Sequence, residues 1–158
     1  MSLRVPIVLM MVFVVAATSF VTRPRPVAGA DLPILPGAKV PPRVLDHIEA
    51  ACRDCHSNAT RYPWYSYVAP VSIVIQHDIR EGRARLNLSK WQEYTPVIRQ
   101  RALSEMANQV QDGGMPLPFY TWLHPEAVLS DADRASIFEW TQVERARLLE
   151  ESIAKPIP

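Results

Sequence analysis

Proline limits what this chain can fold into more than any other residue. There are 15 prolines in 158 residues. Each fixes its own φ and removes a backbone donor, so it can open a helix but not run through one. They crowd 24–42 ("PRPVAGADLPILPGAKVPP") and recur in 115–129 ("MPLPFYTWLHPEAVL"). Residues 31–42, with Pro33, Pro36, Pro41 and Pro42, read as an extended linker, and 115–129 reads as an irregular loop. A helix can begin at Pro42, where Val44, Ile48, Ala51 and Cys55 share one face. Another begins at Pro70, with Val71, Val74, Ile75 and Ile79 on one side and Gly82 near its end. Ser89-x-x-Gln92 has the form of a capping box for a short turn. Thr95-Pro96 opens a helix with Ile98, Ala102, Met106 and Val110 inward, widened by Leu103 and Ala107, and Asp112-Gly113-Gly114 stops it. Ser130-x-x-Asp133 caps a last helix that turns Ile137, Trp140 and Val143 inward and ends near Glu150. No stretch alternates as a strand, so the fold class is all-α, with about four or five helices.

The first thirty residues have the pattern of a targeting segment: "MSLR", an apolar run "IVLMMVFVVAATSFV" (7–21), then Ala28-x-Ala30 as a small-residue cleavage pattern. Fifteen apolar residues are short for a span, which wants ~20, and "TRPRP" behind them could equally flank a retained anchor. Signal and anchor stay open, the tether being residues 3–21. Either places residues 31–158 outside a bacterial cytoplasm, in the periplasm or held at the inner membrane. The 17 basic and 16 acidic residues show no basic stripe, so a nucleic-acid partner is not expected.

Residues 52–56 read "CRDCH" and hold both cysteines of the chain. A redox dithiol of the thioredoxin type needs a βαβ context, which is absent. Zinc wants four ligands, and no second Cys/His pair follows, since His47, His77 and His124 are scattered. A plain disulfide would suit an oxidising compartment but leaves His56 without a role. Covalent haem attachment uses all three: two thiols one helical turn apart become thioethers, and the next histidine meets the iron. Cys52 and Cys55 are therefore the expected attachment residues of one haem c, and His56 the proximal ligand.

A second strong iron ligand closes the sixth position of an electron carrier, and methionine there raises the reduction potential. Met106 lies on an apolar helix face. Met115, in "GGMP", follows a helix stop and two glycines that allow a close backbone approach, so Met115 is the expected distal ligand, with His77 as a rival and His124 as a residue that caps or orients the loop. Trp64, Tyr65, Tyr67, Tyr120 and Trp122 are aromatics with apolar bodies and polar tips. Trp64, Tyr65 and Trp122 are the expected haem surroundings, and Arg61 a partner for a propionate. Arg80, Arg83 and Arg85 form a modest basic patch.

"CRDCHSNATRYPWYSYVAPVS", "EGRARLNLSKW" and "GGMPLPFYTWLHPEAVLSDADRASIFEW", in that order, resemble the haem-binding domain family of small exported mono-haem c-type cytochromes. The resemblance covers roughly 43–145, and the N-x-T-x-x-P-W-Y and M-P…H-P…L-S blocks are more specific than C-x-x-C-H. It implies a cytochrome c-like domain around one covalent haem, with Cys52, Cys55, His56 and Met115 in the roles just given and the first and last helices packed together through Trp140. The longer lead-in at 22–42 departs from the family pattern. The expected plan is a signal or anchor at 1–30, a linker at 31–42, the haem domain at 43–150 and a tail at 151–158. The expected function is single-electron transfer with unidentified redox proteins, not catalysis. The alternatives are a sensor or peroxidase-like domain with a labile sixth ligand, and a haem-free exported dithiol protein.

Overall fold

The computed structural model describes residues 4–25 and 27–154. Leu3 of the expected tether and residues 155–158 of the expected tail lie outside the described residues. Those described form seven α-helices and three short 3-10 turns, with no strand among them. The all-α expectation holds.

Helix α1 spans Arg4–Val21, with no buried residue. At ~1.5 Å per residue its 18 residues reach about 27 Å, close to the ~30 Å of a hydrocarbon core. Among the described residues it alone is long and apolar enough to cross a membrane. The helical part that follows comprises α2 (Pro42–Ala51), α3 (Arg53–His56), α4 (Val71–Arg85), α5 (Pro96–Gln111), α6 (Pro118–Leu123) and α7 (Asp131–Ala154). Prolines open it as their chemistry dictates: Pro42, Pro96 and Pro118 are each the first residue of a helix, and Pro125 opens a 3-10 turn.

The core lies where α5 packs along α7, with α2 laid across α7. Leu103, Met106 and Val110 of α5 meet Ile137, Trp140 and Leu148 of α7 and Val44 and Ile48 of α2. Trp140 is buried, and its indole N–H donates to the Lys39 carbonyl at 2.9 Å. The capping box at the start of α7 forms: the Asp133 N–H donates to Ser130 Oγ at 3.2 Å, while Ser130 Oγ donates to Asp133 Oδ2 at 2.7 Å.

Several elements differ from the reading of the sequence. The 31–42 segment is not a free linker. Ile34 and Leu35 are in the core, and the Leu35 N–H donates to the Leu88 carbonyl at 2.9 Å. The expected helix over 43–56 breaks at Cys52 (φ −122°, ψ −31°), so Arg53–His56 forms its own turn. Asn87, rather than a Ser89–Gln92 box, caps the next turn, its side chain accepting from the Ser89 N–H at 3.1 Å. Residues 115–129 hold α6 and a 3-10 turn where an irregular loop was expected. Val143 is 69% exposed, and Thr141, Glu144 and Leu148 take the inward positions of α7 instead. The inward stripe moves because 137, 140, 141, 144 and 148 keep helical i, i+3, i+4 spacing, whereas 143 falls between two such positions. Gly82 lies in the last turn of α4, near its end as expected, and the helix runs on to Arg85.

Ile137 has no solvent exposure and belongs to the hydrophobic core. Truncation to Ala should cost about 2–5 kcal/mol, read as a lowered urea midpoint with an unchanged m-value.

Candidate functional site

The turn Cys52–His56 is pressed against α4. A Cβ built on Gly82 would stand 2.7 Å from the Cys55 carbonyl oxygen and 3.3 Å from Cys55 Cβ. No side chain fits between the two segments, and glycine is what lets α4 reach the turn. Arg83, the next residue, clamps the chain beyond it: its Nε donates to the Ser57 carbonyl at 2.7 Å and its Nη2 to Thr60 Oγ1 at 2.8 Å. Arg83 is thereby used inside the fold, which removes it from the expected basic patch. Arg80 and Arg85 stay exposed.

Asp54, inside the C-x-x-C stretch, is a buried carboxylate that the motif reading passed over. Oδ1 accepts from the Arg61 N–H and Nε, both at 3.1 Å, and Oδ2 accepts from Tyr120 Oη at 3.0 Å. Arg61 is thus committed to Asp54 and, through Nη2, to the Glu49 carbonyl at 3.2 Å. Burial and then the Asp54 charge raise the Tyr120 phenol above its ordinary range. The sequence signal for Asp54 was present only as an acid between two cysteines, one turn from apolar positions.

His56 Nδ1 lies 3.1 Å from the Leu86 carbonyl. A carbonyl can only accept, so Nδ1 carries the proton and the lone pair sits on Nε2, the tautomer a metal-binding imidazole needs. Burial lowers the His56 pKa, further favouring the neutral ring.

Two cavities open on this ring. One, of about 190 Å³, is walled by Cys52, His56, Leu86, Met106, Val110 and Met115 among others. The other, of about 240 Å³, has Cys55, His56, Gly82, Met115, Leu117 and Tyr120 in its wall. His56 and Met115 line both, so the structure brings four of the expected residues, Cys52, Cys55, His56 and Met115, around one shared space. Of these two cavities Met106 reaches only the first and His77 only the second; the exposed Arg80 Nη2 lies 3.2 Å from His77 Nδ1.

Met115 is held by the stop of α5. Gly113 adopts φ +70°, and the Met115 N–H turns back to the Gln109 carbonyl at 3.0 Å. From α7, Arg134 Nη1 donates to the Val110 carbonyl at 2.6 Å and reaches the Met115 carbonyl at 3.5 Å.

A third cavity, of about 200 Å³, continues past Cys55 and Tyr120 to Tyr65, Val74, Phe119 and Leu123. Tyr65 does line this space. Its hydroxyl is 2.6 Å from His124 Nε2, and His124 stacks on Tyr120 at 4.2 Å. His124 thus orients the loop, as the sequence suggested. Trp64 and Trp122 do not line any of these cavities. They are 78% and 81% exposed. Trp122 lies two residues from Tyr120, about 200° around the helix, so turning Tyr120 inward turns Trp122 out.

The sequence profile of the haem-binding domain family matches residues 11–143. The chain belongs to the haem-binding domain family. That membership makes the chain a haem binder, and the space between His56 and Met115 suits the group: a mostly apolar wall and a histidine with Nε2 free. The haem-binding domain is also similar to cytochrome c peroxidase Ccp of Escherichia coli (strain K12), at 29% identity over 101 residues. The aligned stretch is 62% of this chain and 22% of that protein, so the chain spans about a fifth of the relative's length. No solved structure matches.

Two expectations follow. Gly82→Ala should destabilise by about 1–3 kcal/mol and lower haem loading, measured by denaturant midpoint and haem per protein. A gain in stability, as the helix propensity of Ala alone would give, would contradict the close packing. Burial pushes the Cys52 thiol up to about 12, with Cys55 adding to it. Burial, then the Asp54 charge, pushes Cys55 to about 11. Before haem is attached, both should react slowly with iodoacetamide at pH 8 and rapidly in urea. Because the folded chain holds these protons more tightly than the unfolded one, the haem-free protein should lose stability as pH rises from 9.0 toward about 11.

Proposed function

We propose that this haem-binding domain is an exported mono-haem c-type cytochrome that carries single electrons. Cys52 and Cys55 would hold haem as thioethers, with His56 and Met115 as its axial ligands. Haem so held supplies reversible one-electron exchange at a potential raised by the thioether. The observation that carries the reading is that His56, in the ligating tautomer, and Met115 wall the same two cavities as the two cysteines.

The chain's own residues would set the conditions of exchange. The Leu86 carbonyl fixes the His56 ring and raises its basicity as a ligand. Arg134 and the Gln109 carbonyl hold the Met115 segment in place. Apolar walls exclude water, which disfavours the charged ferric state. Redox proteins would dock at the exposed cavity edge, where Arg85 offers a positive charge, through small transient interfaces. Helix α1, as signal or anchor, would carry the domain to the periplasm.

A peroxidase-like or gas-sensing role is the second reading, favoured by the similarity to a cytochrome c peroxidase. The two part at the sixth iron position, which is closed by Met115 in a carrier and open or labile in the alternative.

The test is expression with a c-type maturation system, followed by spectra of both redox states. A carrier gives haem that stays with the chain on denaturation, low-spin ferric iron and a weak long-wavelength sulfur-to-iron band. Met115→Ala should abolish that band, produce high-spin ferric haem and lower the potential. An unchanged band would sink the Met115 assignment and direct the same test to Met106. High-spin iron in the unaltered protein would favour the second reading. Covalent haem that survives in the double variant Cys52→Ala, Cys55→Ala would refute c-type attachment.

A further inference from the structure

Trp64 and Trp122 are exposed, and each is the chain neighbour of a residue, Tyr65 or Leu123, that lines a wider apolar surface. Val71 and Val74 of α4 are about half exposed, as are Phe119 and Leu123 of α6, and these four line one cavity with Tyr65. A sequence folding as a free water-soluble domain would cover this stripe or make it polar.

What lies beside it is the end of α1. The Ala69 N–H donates to Ser19 Oγ at 2.9 Å, and Thr22 Oγ1 meets Ser72 Oγ at 2.7 Å. Val21, Thr22 and Arg23 share a groove with Ile73, Val74 and Arg80. Val74 belongs to this groove and to the apolar cavity alike, so the surface runs unbroken from the end of α1 to Leu123. Further on, Asn58 Nδ2 donates to the Ala28 carbonyl at 2.9 Å, fastening the chain after α1 to the domain. The family match begins at residue 11, inside α1, so the second half of that helix belongs to the matched pattern.

We infer that the face formed by Trp64, Val71, Val74, Phe119, Trp122 and Leu123 lies in the headgroup region of the bilayer that α1 spans, so that the domain rests on the membrane instead of swinging above it. This rests on α1 being retained. The hydrogen bonds at Ser19 and Thr22 put the face level with the end of the span. Exposed tryptophans suit the interface, where an apolar ring meets a hydrated N–H. Arg23 and Arg80, in the groove between span and face, supply positive charge for anionic headgroups. One span already tethers the chain, so even modest burial of this face is an intramolecular gain.

The haem-loaded full chain, reconstituted in phosphatidylcholine–phosphatidylglycerol vesicles, tests this. Single cysteines Leu123→Cys and, on α7, Val143→Cys are spin-labelled after haem attachment has consumed Cys52 and Cys55. Trp122→Cys replaces Leu123→Cys if the latter does not fold. The inference expects the face label to collide several-fold more with oxygen than with a water-soluble nickel chelate, and the 143 label to do the reverse. Preference for nickel at both positions overturns it. So does dipolar broadening between face labels of different molecules, the sign of a second copy, or a purified chain lacking residues 4–21. The absorption spectrum of the same sample reports haem attachment separately, so failure of the cytochrome reading is distinguishable.

Discussion

The close approach of α4 to the Cys52–His56 turn is the contact on which the rest of the site depends. Gly82 allows it, since any larger residue would drive a carbon into the Cys55 carbonyl. Once α4 is there, Arg83 reaches the Ser57 carbonyl and the Leu86 carbonyl arrives at His56 Nδ1. One backbone-to-backbone contact therefore sets the position of the cysteines, the tautomer of the histidine and the roof of the cavity.

Asp54 performs the matching task on the other side. A carboxylate buried between two cysteines is costly unless its oxygens are occupied. Arg61 and Tyr120 occupy them, and in doing so they fasten α6 and the 57–63 loop to the attachment turn. Tyr120 then stacks on His124, which meets Tyr65. The two aromatic regions, far apart in sequence, form a single wall because an acid inside the motif needed partners.

Much of this was legible in the residues. Prolines located the starts of α2, α5 and the segment around α4, the Ser130–Asp133 pair located α7, and the CRDCH and GGMP stretches located both sides of the cavities at His56. What escaped had physical reasons. Gly82 was legible only as a glycine near the end of a helix, and only the neighbouring backbone reveals what it is for. Residues 115–129 looked irregular because three prolines also permit short helices that start anew at each one. Ile34 and Leu35 were masked by the prolines around them, although their apolar side chains fill the core. Trp64 and Trp122 were read as haem neighbours from proximity in sequence, yet both are exposed, and for Trp122 the half-turn from the inward Tyr120 is the reason.

The Arg134 clamp gives the site an unexpected dependence. A single guanidinium on α7 spans from the last turn of α5 to the Met115 carbonyl. The Met115 segment is thereby coupled to the first turn of α7, the longest helix among the described residues. Motion of that segment is geared to the start of α7, so a helix far along the chain from the CRDCH turn acts as a brace on the opposite wall of the cavity.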